Sequence, residues 1–200
     1  MTSTDITNTE NRYIISPNYN DPFLEDIPNV DGIENQYPRF YKVLSKLQAY
    51  ATTNTDVMNA LVSYSGYSRS EMVELLKIEN LIKLPLEVKQ MQSVMMNGNG
   101  KEITKQWHGV GETNHKSPFT ISINRSWVSG LEGTSLSSTI NGTSFVLAVT
   151  VYHELVHYGR FVHGLKQNYE YGHGFEVKAF KGIIDGNNAI NKAKQYGWKF

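Results

Sequence analysis

The stretch VYHELVHYGRFVHG, Val151 to Gly164, constrains this chain more than any other. It sets His153, Glu154 and His157 in the spacing H-E-x-x-H inside a run that reads as helix. Helical positions four apart project from one face, one turn apart. Two imidazoles so placed can each give one nitrogen to a single ion at about 2.0–2.1 Å. Glu154 is rotated by about 100° from His153, too far round for a natural ligand but within reach of water on the same ion. The spacing therefore separates two roles, ligands at its ends and a general base at its second position. Without metal, a buried His–Glu–His cluster would carry several polar groups that are costly to bury. That weighs against the plainer reading, a solvated polar helix end.

The surrounding helix is predicted from near Thr143 or Ser144 to near Gly159. Val146, Val149, Thr150, Val151 and Val156 make it unusually β-branched, so its propensity is mediocre. Apolar residues lie nearly all round it, so burial on several sides must stabilise it and the histidines belong to an internal helix.

A catalytic ion needs a third protein ligand, and three residues compete. Glu176 lies on the next predicted helix, with Phe180, Ile183 and Ile184 on or beside its face, so it should point inward, where a carboxylate needs a partner. His163 stands at the spacing H-E-x-x-H-x-x-G-x-x-H, but that pattern wants a glycine where this chain has Arg160, and Gly159 comes one place early. If the helix ran on, His163 would point away from the pair. His173, two residues past Tyr171 in a glycine-flanked loop, suits a stabilising donor better than a ligand. Glu176 is the favoured third ligand and His163 the alternative. Tyr169, Tyr171 and His173 are candidate donors to the oxyanion of a hydrolytic reaction.

The chain has no cysteine, which excludes disulfides, thiolate chemistry and cysteine zinc sites. Lys+Arg equals Asp+Glu at 19 each among 200 residues, and no basic aromatic patch is visible, so nucleic acid is not an expected partner. A hydrophobic share of 40% is enough for a buried core. The N-terminus lacks the basic start and apolar block of a signal peptide, and no apolar run is long enough for a membrane span. The expectation is a soluble protein made in the cytoplasm.

Residues 1–38 are rich in Thr, Asn and Asp and hold Pro17, Pro22, Pro28 and Pro38, which predicts an extended or partly disordered arm before a single domain over 39–200. Helical spacing then links Phe40, Val43, Leu44, Leu47 and Ala51. A second helix is capped by Thr53, Asn54 or Thr55 and ends near Gly66. A third opens with Ser68 and Glu71 in capping-box spacing. In KLPLEVKQM the period becomes two, a strand that Pro85 puts at an edge or a strand start. NGNGKE reads as a turn, KQWHGVGETNHKS as a short strand and loop. In PFTISIN, Phe119, Ile121 and Ile123 alternate with Thr120, Ser122 and Asn124. Helices are predicted over Phe175 to Ile184 and, more weakly, in NNAINKAKQYG.

The sequence resembles the zincin metallopeptidases, and more narrowly the small metallopeptidase toxin domains of bacterial polymorphic and contact-delivered toxins. The likeness is carried by ALVSYSGYSRSEMVELL, ISINRSWVSGLE, HELVHYG and YGHGFEVKAFKG. It implies an α+β, zincin-like fold: N-terminal helices, a small mixed or antiparallel sheet, the buried H-E-x-x-H helix and C-terminal helices. It implies Zn2+ held by His153, His157 and Glu176, with Glu154 as base. It also implies an edge strand that pairs with extended peptide, for which PFTISIN is the natural match. A protein or peptide substrate, a cognate immunity protein, export by a dedicated secretion system and action on a competitor cell follow from the same likeness. Two other readings remain open, a hydrolase of cell-wall peptide amides and an inactive module braced by metal.

Overall fold

A computed structural model describes residues 32–96, 102–106, 110–114 and 120–200. The expectations for residues 1–31, for all but the last residue of the NGNGKE turn and for Phe119 lie outside these.

Five helices open the described chain: α1 (Gly32–Gln36), α2 (Pro38–Thr53), α3 (Thr55–Ser65), α4 (Arg69–Leu75) and α5 (Ile78–Leu81). α1 falls inside the segment expected to be an arm. In α2 the five residues picked out by helical spacing are all fully buried. No side chain of its own segment caps that helix. Glu132, far away in sequence, accepts the Arg39 and Phe40 amides, each at 3.0 Å. Asn54 caps α3 by accepting the Val57 amide, and Gly66 ends it at φ 89°, a left-handed conformation that costs glycine nothing. Ser68 and Glu71 form the expected capping box on α4.

Next come β1 (Leu86–Lys89), β2 (Gln92–Met96), β3 (Glu102–Gln106), β4 (Gly111–Asn114) and β5 (Thr120–Asn124). β2 and β3 form an antiparallel pair. The other three form a small mixed sheet in the order β1-β5-β4, parallel between β1 and β5 and antiparallel between β5 and β4. This overturns one expectation. β5, from PFTISIN, is the middle strand, paired on both sides, so it has no free edge to offer a peptide. Its polar–apolar alternation misled because both faces are covered: Ile121, Ser122 and Ile123 are fully buried and Asn124 nearly so. The polar members are satisfied instead, Ser122 donating to Glu87 at 2.8 Å and Asn124 accepting from the Ser126 amide and hydroxyl.

α6 (Arg125–Gly133) leads into α7 (Ser137–Val162), then α8 (Tyr171–Phe180) and α9 (Ala189–Gln195), so the architecture is mostly helical. α7 is the spine: α2, α3, α6, α8, α9, β4 and β5 all pack on it. Its β-branched run is buried on several sides, which offsets weak propensity with roughly 1.5–3 kcal/mol for each fully buried apolar side chain. It starts earlier and ends later than expected. Gly159 lies inside the helix, where its missing side chain admits a close approach: a Cβ there would lie 2.7 Å from the Ser65 carbonyl. The chain end is tied to α7 as well, with the Trp198 indole donating to Ser144 and the Phe200 amide to Asn141, both at 2.9 Å. Among the described residues no helix is long and apolar enough to cross a membrane.

Candidate metal centre

His153 and His157 share one face of α7, their ring centroids 5.1 Å apart and both side chains largely buried. Each ring meets a carboxylate. His153 donates from Nδ1 to Glu176 Oε1 at 2.6 Å, and the second Glu176 oxygen accepts the Ile184 amide at 2.7 Å. His157 donates from Nε2 to Glu170 Oε1 at 2.7 Å, and His153 Nε2 lies 3.3 Å from that same oxygen. Glu170, at the N-cap of α8, is the residue the sequence reading missed. Its only signal there was a lone acid five residues ahead of the predicted helix, too common to notice, and the loop that carries it to His157 has no periodicity.

Among the described residues, two sets of side chains offer ligand atoms within 4.8 Å of one another: His153, His157 and Glu170, and His153, His173 and Glu176. Imidazole nitrogen and carboxylate oxygen, with no cysteine in the chain, form a donor set that suits a zinc-like cation. A metal ion fits the residues present.

The two histidines are shifted in opposite directions. Burial pushes the His153 pKa down, but hydrogen bonds to Glu170 and Glu176 and the charge of Glu154 outweigh it and raise the value to about 10. His157 is held below the ordinary value, mainly by burial, with the Glu170 charge opposing and His153 adding to the fall. Glu170 is lowered to about 2, chiefly by the His153 hydrogen bond. Positive charge is therefore favoured on His153 and disfavoured on His157. Glu154 is 4% exposed, buried on α7 between the two histidines in sequence.

The loop between α7 and α8 is pinned by Arg160. Its guanidinium donates from Nε and Nη2 to the Lys166 carbonyl at 3.0 and 2.7 Å and from Nη1 to the Tyr64 carbonyl at 3.0 Å. It also lies 3.2 Å from the centre of the Tyr171 ring. The position at which the rival pattern wanted glycine thus clamps the loop that leads to Glu170.

The remaining predicted residues scatter. His163 is at the C-cap of α7, exposed, with its ring edge-on to Tyr67 at 4.7 Å, and belongs to neither ligand set. His173 is exposed, its ring 5.4 Å from that of His153. It is on helix rather than loop, because α8 starts at Tyr171 and not near Phe175. Gly172 and Gly174 suggested a loop, yet they are helical positions of close approach. A Cβ at Gly172 would collide with the His153 ring, and one at Gly174 would lie 2.6 Å from Tyr64. The Tyr171 hydroxyl donates to Asn168 at 3.1 Å, and Tyr169 is exposed against the Tyr171 ring.

A family model described as metallopeptidase toxin 3 matches residues 33–181, which include both histidines, Glu154, Glu170 and Glu176. The chain belongs to this family. No curated protein and no solved structure matches it. Membership as a metallopeptidase toxin implies a peptidase with a protein substrate, and toxin domains of this kind imply secretion. The match covers α1 to α8 and stops before α9 and the C-terminal residues that brace α7.

Proposed function

We propose that this metallopeptidase toxin is a zinc-dependent endopeptidase of the H-E-x-x-H type that damages a competitor cell. The observation that carries the reading is the convergence of the His153 and His157 Nε2 atoms on a single carboxylate oxygen, beside a buried Glu154. His153 and His157, together with a carboxylate, would hold the ion, which when bound would supply a Lewis acid to polarise the scissile carbonyl and acidify a water molecule. Glu154 accepts the proton which that water loses on attacking the carbonyl carbon, and delivers it to the amide nitrogen as the C–N bond breaks. His173, exposed beside His153, donates to the carbonyl oxygen as negative charge develops. Tyr171 is the second candidate for that donation, at the expense of its bond to Asn168.

β4 replaces β5 as the strand that aligns the peptide. It ends the three-stranded sheet, packs on α7, and brings Gly111 so close to Thr150, one turn before His153, that a Cβ would lie 2.6 Å from the Thr150 methyl. An extended substrate can add to such an edge by main-chain hydrogen bonds.

Glu154→Gln tests the reading. The variant should bind zinc as the wild type does, lose about 100-fold or more of its peptide hydrolysis, and no longer harm a naive host that expresses it. Retained hydrolysis would overturn the base assignment, and equal harm from both proteins would overturn proteolysis as the cause. An immunity protein in the producing cell is part of the proposal.

A further inference from the structure

We infer that Glu170 closes the metal site with His153 and His157, and that Glu176 is a positioning residue that holds His153 from behind. The assignment rests on the metal-dependent reading above and reverses the role sequence spacing suggests for Glu176.

The two carboxylates occupy opposite sides of His153. Glu176 meets Nδ1, while Nε2 faces Glu170. His157 also presents its Nε2 to Glu170, so the side on which both rings converge is the Glu170 side. Glu176 has both oxygens engaged, one by His153 and the other by the Ile184 amide, and is 4% exposed. To ligate beside His157 it would have to leave both partners and cross the His153 ring. The set that uses Glu176 includes His173 and leaves out His157, which would break the H-E-x-x-H pair.

Glu170 has the opposite character. Its side chain is 46% exposed, at the end of a loop fastened by Arg160 to the Lys166 and Tyr64 carbonyls. A ligand there lets substrate reach the ion from solvent. A carboxylate on the far nitrogen of a ligating histidine fixes ring orientation and raises ligand basicity. Glu176 supplies that contact at 2.6 Å and is itself fixed by Ile184.

Because the chain has no cysteine, a thiol introduced at one position is a clean reporter. Glu170→Cys and Glu176→Cys would be loaded with cobalt(II) and their near-ultraviolet absorption compared. A thiolate bound to the ion gives a charge-transfer band, whereas a thiol behind the histidine gives none. The band is expected in Glu170→Cys and not in Glu176→Cys. Its absence from the Glu170 variant, or its presence in the Glu176 variant, would overturn the assignment. Glu176→Gln should still accept the Ile184 amide yet weaken zinc binding about 10–100-fold in a chelator competition; unchanged affinity would remove its positioning role. If Glu170→Cys does not fold, a crystal of the wild-type zinc complex decides between the two, with the Glu170 oxygen expected at about 2.0–2.2 Å and Glu176 in that place overturning the inference. Wild-type protein that bound neither cobalt nor zinc would bring down the metal-dependent reading itself. Metal bound through Glu176 would bring down only this assignment.

Discussion

Gly172 sets the distance between α8 and the His153 ring. Because a side chain there would overlap the imidazole, Gly172→Ala must either swing the ring or push α8 away. Overpacking of this kind costs about 1–3 kcal/mol. Moving the ring also disturbs the bond between His153 Nδ1 and Glu176. Gly172→Ala is therefore expected to lower both unfolding stability and zinc affinity, measured by urea denaturation and chelator competition. Wild-type values for both would mean that the contact is relieved at no expense. At this scale the sequence displayed His153, Glu154 and His157 without ambiguity, because local spacing alone decides that four-apart residues share a helix face. It did not display Glu170, whose place depends on where a loop returns. Nor did it show that Gly172 and Gly174 serve helix contact, since a glycine reads the same in a loop as at a close crossing.

Among the elements, α2 illustrates a helix start completed from elsewhere. Pro38 suits its first turn, but the free amides of Arg39 and Phe40 are accepted by Glu132 from α6. A carboxylate at a helix N-terminus also meets the positive end of the helix dipole. Glu132→Ala should cost about 0.5–2 kcal/mol, the usual range for a lost cap. The check is a lower urea midpoint with an unchanged slope; an unchanged midpoint would show that the cap contributes nothing. The buried face of α2 and the capping box of α4 were legible in the sequence because both are written within a few residues. The centre of the sheet was not. Whether β5 is an edge or a middle strand depends on β1 and β4, one far upstream and the other just ahead of it in sequence. α6 escaped the sequence reading altogether, although its cap, Asn124, closes the neighbouring strand.

For the whole molecule, the candidate site joins α7 to α8 and to the loop between them, so a bound ion would tie together segments that local structure leaves separate. A ligand that binds only the folded state at about 100 times its Kd adds about 2.7 kcal/mol. For a chain of this length that raises Tm by about 5–11 °C. Thermal unfolding with excess zinc should show such a rise, a strong chelator should reverse it, and a protein carrying both His153→Ala and His157→Ala should not respond. A rise of the same size in the double variant would place the binding elsewhere.

The sequence by itself determined that a helix carries two histidines and a glutamate in H-E-x-x-H spacing, that this helix is apolar enough to lie inside, and that any metal must be held without cysteine thiolate. Those properties follow from helical geometry and composition, which are local and survive any change in the rest of the fold. The tertiary structure alone decided which acid meets which ring nitrogen. That choice turns on the path of the loop between α7 and α8 under the grip of Arg160, on the close crossing at Gly172, and on an Ile184 amide that engages Glu176. Each of these is a contact between residues distant in sequence, and no periodicity encodes it.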